Sequence, residues 1–190
     1  MRYRPEHKAD TRKKIVEDAS QRFRAEGLGG AGVASVMRDT GLTHGGFYKH
    51  FRNKDDLLVE SVGEAFREVG AQFVQAAEQA APREAWKEIV KRYLSLEHCD
   101  HPETGCPLAA LGPELARSMP EMKKRIDTAM VNYKGLMLPF MPGRTAVDRE
   151  KAFFVIFSTM VGAIELARMM PAAARQRVLA NARDFLLGSF

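Results

Sequence analysis

Two clusters in this 190-residue chain hold side chains able to do chemistry. The first runs from Thr43 to Lys54, THGGFYKHFRNK, where cations and hydrogen-bonding side chains alternate with aromatics and two glycines. That mixture suits a polyanionic partner better than a bond-making reaction. The second is His98, Cys99, Asp100, His101 and Cys106, a group of metal ligands and nucleophiles within nine residues. Its spacing matches none of the paired CxxC or HxxxH arrangements that close a zinc tetrahedron, so no metal and no cofactor are expected. Cys106 retains a second chemistry. It follows Gly105 directly and precedes a helix start, where the helix dipole lowers the pKa of an exposed thiol and makes it a redox or electrophile sensor. A packed, unreactive cysteine fits the same residues. No nucleophile elbow, P-loop, dinucleotide fingerprint or HExxH pattern occurs, and no spacing pairs a base with a nucleophile, so the chain does not read as an enzyme.

Helices must position these residues. Strand signals are nearly absent, while apolar residues recur at helical spacing throughout. The composition, 45% hydrophobic and 28% charged, is that of a globular protein, and the length corresponds to roughly 1.3 domains. The net charge is +5, and residues 1–60, with twelve Lys and Arg against nine Asp and Glu, hold +3 of it. Two cysteines are too few for a disulfide scaffold, and the opening MRYRPEHKADTRKK has no apolar core of a signal peptide, so a cytoplasmic protein with reduced thiols is expected. The longest uncharged stretch, Ala152 to Ile164, falls short of the roughly 20 residues of a membrane span and reads as a buried helix, with no membrane partner.

Ile15, Val16, Ala19 and Phe23 share one face of a helix that starts near Asp10 or Thr11 and stops at Gly27. Val33, Val36 and Met37 line a short second helix, which Gly41 ends in a left-handed conformation. Leu42 plugs the turn. Thr43 caps a third helix with Phe47 and Phe51 on its buried side, leaving His44, Gly45, Gly46, Tyr48, Lys49 and His50 outward. Asn53 caps a long fourth helix, with Asp56 completing a variant capping box. Further helices are predicted from Pro82 to about Glu97, Leu108 to Ser118, Pro120 to Phe140, Val147 to Met170 and Pro171 to Leu187, with a loop over His98 to Pro107. The fold class is therefore all-α with about nine helices. Residues 33–51 meet the demands of a helix-turn-helix: two short helices, a tight turn and an exposed second helix able to enter a major groove.

Over Thr11 to Leu58 the sequence resembles the TetR family of transcriptional regulators, most closely in GLTHGGFYKHFRNKDDLL. The resemblance implies a three-helix DNA-binding domain over residues 1–56 and a helical ligand-binding and dimerisation domain over residues 57–190. It places Thr43, His44 and Gly45 at the base-facing entry of the recognition helix, Tyr48 and His50 on the sugar-phosphate backbone, and Lys54 as a phosphate-binding lysine. Gly45 and Gly46 remove side chains and let the backbone approach DNA, so base reading falls on Thr43, His44 and Lys49, with Lys49 or His44 bonding a guanine edge. The chain departs from the family pattern at Gly32, which lacks the Ser or Thr hydroxyl that caps the second helix. Arg2 and Arg4 form either a minor-groove arm or a solvated tail.

Beyond residue 60 the resemblance thins to a helical pattern. The last two helices carry apolar residues on more than one side, which predicts a homodimer through a four-helix bundle and a near-palindromic double-stranded operator. Trp86, Tyr93, Met122, Tyr133, Met137 and Phe157 are the candidate lining of a pocket for a small apolar or aromatic effector; ordinary core packing is the other reading of each. The Gly105-Cys106 element also resembles one in a branch of the family that includes electrophile-responsive repressors. The expected function is a ligand-responsive repressor released from its operator by that effector. The alternatives are thiol sensing through Cys106 and a helical adaptor that binds only proteins.

Overall fold

The computed structural model describes residues 5–41 and 43–190; the side chains of residues 5–7, Asp39 and His44 lie outside that description. So do Arg2, Arg4 and Leu42. The described residues form ten α-helices: α1 (Pro5–Gly30), α2 (Val33–Asp39), α3 (His44–Phe47), α4 (Lys54–Glu78), α5 (Ala85–Tyr93), α6 (Leu96–Asp100), α7 (Pro107–Ala116), α8 (Pro120–Met137), α9 (Ala146–Met169) and α10 (Ala172–Ser189). The all-α class stands. The additional helix is α6, in a stretch expected to be part helix end and part loop. Leu94 leaves the helical region at φ −89°, ψ 46°, and Ser95 then recaps the chain by accepting a bond from the His98 N–H at 3.1 Å. The rest of the expected loop is a 3-10 turn over Pro102–Thr104. Pro82 lies in the turn before α5 rather than in its first turn.

The first helix buries the predicted face, Ile15, Val16, Ala19 and Phe23, against α4. Its regular course ends at Gly27, whose φ of 74° only glycine adopts cheaply, before a last turn to Gly30. Gly41 ends the α2 turn at φ 73°, as its position predicts. Asn53 caps α4, accepting the Asp56 N–H at 2.8 Å. The second half of the expected capping box is absent because the Asp56 carboxylate instead pairs with Arg125 of α8 at 2.8 Å.

The expected boundary at residue 56 falls in the first turn of α4, so the two units share a helix rather than a linker, and one hydrophobic core runs through both. Buried polar groups tie the units together. Arg24 of α1 is almost wholly buried and donates to the Gly105 carbonyl (2.8 Å), the Glu68 carboxylate of α4 (2.7 Å) and the Ser20 carbonyl and hydroxyl (3.1 and 3.2 Å). Glu114 of α7 accepts from the Leu28 N–H at 3.0 Å, holding the end of α1. Arg168 of α9 donates to the carbonyls of Cys99, Ala109 and His98 at 2.9, 2.7 and 3.2 Å.

Removing one partner of a buried pair leaves an uncompensated charge, which typically costs about 3 kcal/mol or more. Arg24→Ala is accordingly expected to lower the free energy of unfolding by about 3 kcal/mol in urea denaturation, and Arg24→Lys to recover less than half of the loss because an ammonium cannot reproduce the fork.

Candidate functional site

The third helix is shorter than expected. Hydrogen-bonded helix covers His44 to Phe47, and the chain continues to Phe51 as turns closed by Lys49 N–H to Gly46 O (3.2 Å) and His50 N–H to Phe47 O (2.9 Å). Two adjacent glycines weaken such a helix by roughly 1 kcal/mol each relative to alanine. Thr43 occupies the N-cap with extended backbone, although its side chain makes no cap bond. The fold does not demand the glycines. A Cβ on Gly45 would meet nothing within 4 Å, and one on Gly46 would make ordinary contacts with Thr43 and Met37 at 3.6 and 3.8 Å. Gly32 caps α2 with its backbone alone, as its missing hydroxyl requires.

Packing holds this short element. Phe47 and Phe51 are buried and stack at 5.4 Å, and the Arg12 guanidinium of α1 covers Phe51 at 4.3 Å. Tyr48 and Lys49 face solvent. His50 is half-buried; burial, and after it the charges of Lys8, Arg12 and Lys49, hold its pKa below the usual value. Its Nδ1 and the Arg12 Nη1 are buried without a hydrogen-bond partner. Lys54 departs from expectation: its ammonium donates to the Leu28 carbonyl at 2.6 Å and lies 5.7 Å from the Phe23 ring centroid, so one of its three donors holds α4 to the end of α1. The side chain of His44 lies outside the described residues.

Three of the six candidate pocket residues are joined by ring contacts. The Phe157 ring meets Tyr93 edge-on at 6.0 Å and Tyr133 at 5.3 Å. Trp86 packs instead against Phe190 at 6.0 Å. Met122 and Met137 sit at opposite ends of α8, fifteen residues and so roughly 22 Å apart, too far to share one small cavity. Gly70 of α4 permits this packing, because a Cβ there would stand 2.9 Å from Leu136 and 3.4 Å from Tyr133.

The thiol expectation meets a physical obstacle. Cys106 caps α7 as predicted, but it is fully buried, and that burial raises its thiol pKa, outweighing the lowering from Tyr93 and the backbone at the start of α7. An exposed, acidified sensor thiol is not what forms. Its backbone N–H donates to His98 Nε2 at 2.9 Å, while His98 Nδ1–H donates to the Tyr93 carbonyl at 2.7 Å. The pair of bonds fixes the neutral tautomer. His98 rests on Gly105, where any Cβ would lie 2.9 Å from the ring. The rest of the His/Cys/Asp cluster is dispersed: Asp100 pairs with Arg175 at 2.6 Å and His101 with Glu103 at 3.0 Å. Among the described residues no three metal-ligating side chains converge. Arg24, Glu68, Glu114 and Arg168 were not singled out from the sequence. Arg24 lies one position from Phe23 of the buried face, which is the only local signal it offers.

Residues 15–60 match the sequence profile of the bacterial regulatory proteins, tetR family. Over those residues, which hold α2, α3 and most of α1, the chain is similar to that family. The HTH-type transcriptional regulator LmrA of Bacillus subtilis is 26% identical over 107 residues, 55% of this chain and 57% of that protein, so the chain spans little more than half of this relative's length. Solved structures share the fold over nearly the whole chain. The reduced form of Escherichia coli NemR superposes with a TM-score of 0.76 at 16% identity, covering 94% of this chain and 96% of that one. FadR of Bacillus subtilis in complex with stearoyl-CoA gives 0.68 at 18% identity, covering 94% and 98%.

His98 of α6 supplies a pH test of the packed segment that leads into α7. Its pKa is lowered to about 4 from 6.5, chiefly by burial. The folded state therefore disfavours the proton that the unfolded state binds below 6.5, so the stability is fully present above pH 6.5 and drains away as pH falls toward 4, by up to about 3 kcal/mol. Urea denaturation of the parent from pH 7.5 to 4 should show this decline, with a shallower one for His98→Gln.

Proposed function

We propose that the protein is a homodimeric, DNA-binding transcriptional regulator: a repressor that a small, largely apolar or aromatic molecule releases from a near-palindromic operator. The observation that carries the reading is the α2–turn–α3 unit, whose buried aromatic pair anchors an outward face with no bulky side chain at Gly45, with Tyr48 and Lys49 in solvent and with the charges of Lys8, Arg12 and Lys49 felt at His50. In this reading Thr43, His44 and Lys49 meet base edges while the bare backbone at Gly45 and Gly46 approaches closely. Tyr48, His50 and Arg12 meet phosphates, and Lys54 offers its remaining donors to another.

Two observations support the dimer and the effector. Phe154, Val155, Leu166 and Met169 on α9 and Phe185 on α10 are exposed, an apolar face suited to a twofold partner through the last two helices. Such a dimer sets two recognition helices about one DNA turn, or ~34–36 Å, apart. The helical second unit has the fold of a neighbour solved with an acyl-CoA bound, FadR, which supports ligand control here.

Selection of bound sequences from random DNA tests the reading. It should return a near-palindrome, with affinity falling steeply as salt rises. Lys49→Ala is expected to cost about 1–3 kcal/mol and to relax preference at one base position. Gly45→Ala should leave stability unchanged or raised by up to about 1 kcal/mol while weakening DNA binding. Absence of salt-sensitive DNA binding would overturn the reading in favour of a protein-binding adaptor.

A further inference from the structure

The Tyr93 and Tyr133 rings are 0% and 2% exposed, and neither hydroxyl has a hydrogen-bond partner. Burial raises the pKa of both phenols; the buried Cys106 thiol is close enough to raise it further, and it makes a hydrogen bond to neither. A thiol is in any case a weak acceptor. Two orphaned donors thus sit on rings that share one neighbour, Phe157, and are walled by it, Phe73 and Phe66 at ring separations of 5.1–6.0 Å from one tyrosine or the other. An unsatisfied buried hydroxyl is destabilising, and phenylalanine would fill either position without that cost. What the constellation lacks is an acceptor.

An approach to it exists. An open, mostly apolar groove of about 540 Å³ runs between α7, α8 and α9, and Phe157, with Phe153 and Met130, forms part of its wall. The ring that faces the groove is also the ring that touches both tyrosines. Charge decides the class of ligand. Each nitrogen of the Arg168 guanidinium is committed to a backbone carbonyl, and His98 is neutral with both ring nitrogens bonded. A carboxylate would therefore be buried without a cation free to pair with it, which is costly, whereas a neutral oxygen would not.

We propose that Tyr93 and Tyr133 are the specificity-determining end of the effector site: they read the carbonyl oxygen of a neutral ligand with an apolar body, which enters from the α7/α8/α9 groove as Phe157 turns aside. This rests on the effector reading above and names its chemistry. Two phenol O–H groups donate to one oxygen, and the apolar body fills the groove.

The probe set is acetophenone, its hydrocarbon counterpart ethylbenzene and its anionic counterpart phenylacetate, each titrated calorimetrically into the full chain without DNA. Acetophenone should bind about tenfold more tightly than either counterpart. Tyr93→Phe and Tyr133→Phe should each erase several-fold of that preference, and the double variant all of it, while thermal unfolding midpoints stay level or rise. A role confined to holding the core would lower them. The carbonyl stretch of bound acetophenone should sit at lower frequency in the parent than in the double variant. Equal affinity for ketone and hydrocarbon, preference surviving in the double variant, or no ketone binding at millimolar concentration overturns the proposal. Ketone preference in a chain that fails to bind DNA would sink the regulatory reading alone.

Discussion

A guanidinium kept almost wholly from water is tolerated only while its donors are matched, and that constraint on Arg24 organises the molecule. Its acceptors lie on its own helix, on α4 and on the turn ahead of α7. These three parts cannot shift independently without exposing or orphaning a charge. Arg168 imposes the same condition from the opposite side, on the carbonyls of His98, Cys99 and Ala109. The segment from residue 98 to 109 is thus gripped between the first helix and α9. His98, bonded at both nitrogens, fills the space between the two arginines' acceptors.

That grip bears on how the two ends of the molecule communicate. Gly105, which accepts from Arg24, is adjacent to Cys106, which is close enough to act on the Tyr93 phenol. Tyr133 stands on α8, whose Arg125 pairs with Asp56 in the first turn of α4. Both buried tyrosines therefore stand on elements tied by ion pairs and hydrogen bonds to the unit that carries α2 and α3, by separate routes. Neither route passes through a flexible linker, since α4 belongs to both units. A displacement at either tyrosine has packed elements to act on, as the proposed release of DNA by an effector requires.

The fold class and the N-terminal unit were legible in the sequence because their signals are local. Gly41 at positive φ, Asn53 as a cap, the Ile15–Phe23 face and the Phe47–Phe51 pair each depend on residues within one or two turns. The features that were not legible depend on distant partners. The loop read at His98 conceals α6 because a single Ser95 cap starts a helix too short to show periodicity. Asp56 looked like half of a capping box, and nothing nearby reveals that Arg125 takes its carboxylate. Lys54 has the type and place of a phosphate ligand, yet the carbonyl it finds belongs to Leu28, 26 positions away. The sensor thiol failed for the same reason: position before a helix is readable from sequence, whereas burial is not. Of the six residues chosen as pocket lining, ring contacts join the three from α5, α8 and α9, and aromatic type alone does not distinguish them from Trp86.

A weak helix at a surface must be held by its neighbours, and α3 is built on that dependence. Four residues containing two adjacent glycines cannot sustain a helix by propensity, so its conformation is borrowed from the Phe47–Phe51 stack, the Arg12 cover and the Gly41 turn. Arg12 also pairs with Glu60 of α4 at 2.6 Å, so the same side chain that braces the stack is fastened to the shared helix. The outer face is then at liberty to be chosen for its partner rather than for its stability. An alanine at position 45 would fit and would favour the helix, and its absence is a loss of stability with no compensation inside the fold. The tyrosine hydroxyls in the core present the same pattern: a local cost that the folded chain alone does not recover. Both departures fall where an outside molecule is proposed to bind, and each supplies what that molecule would complete, a bare backbone in one case and unmatched donors in the other.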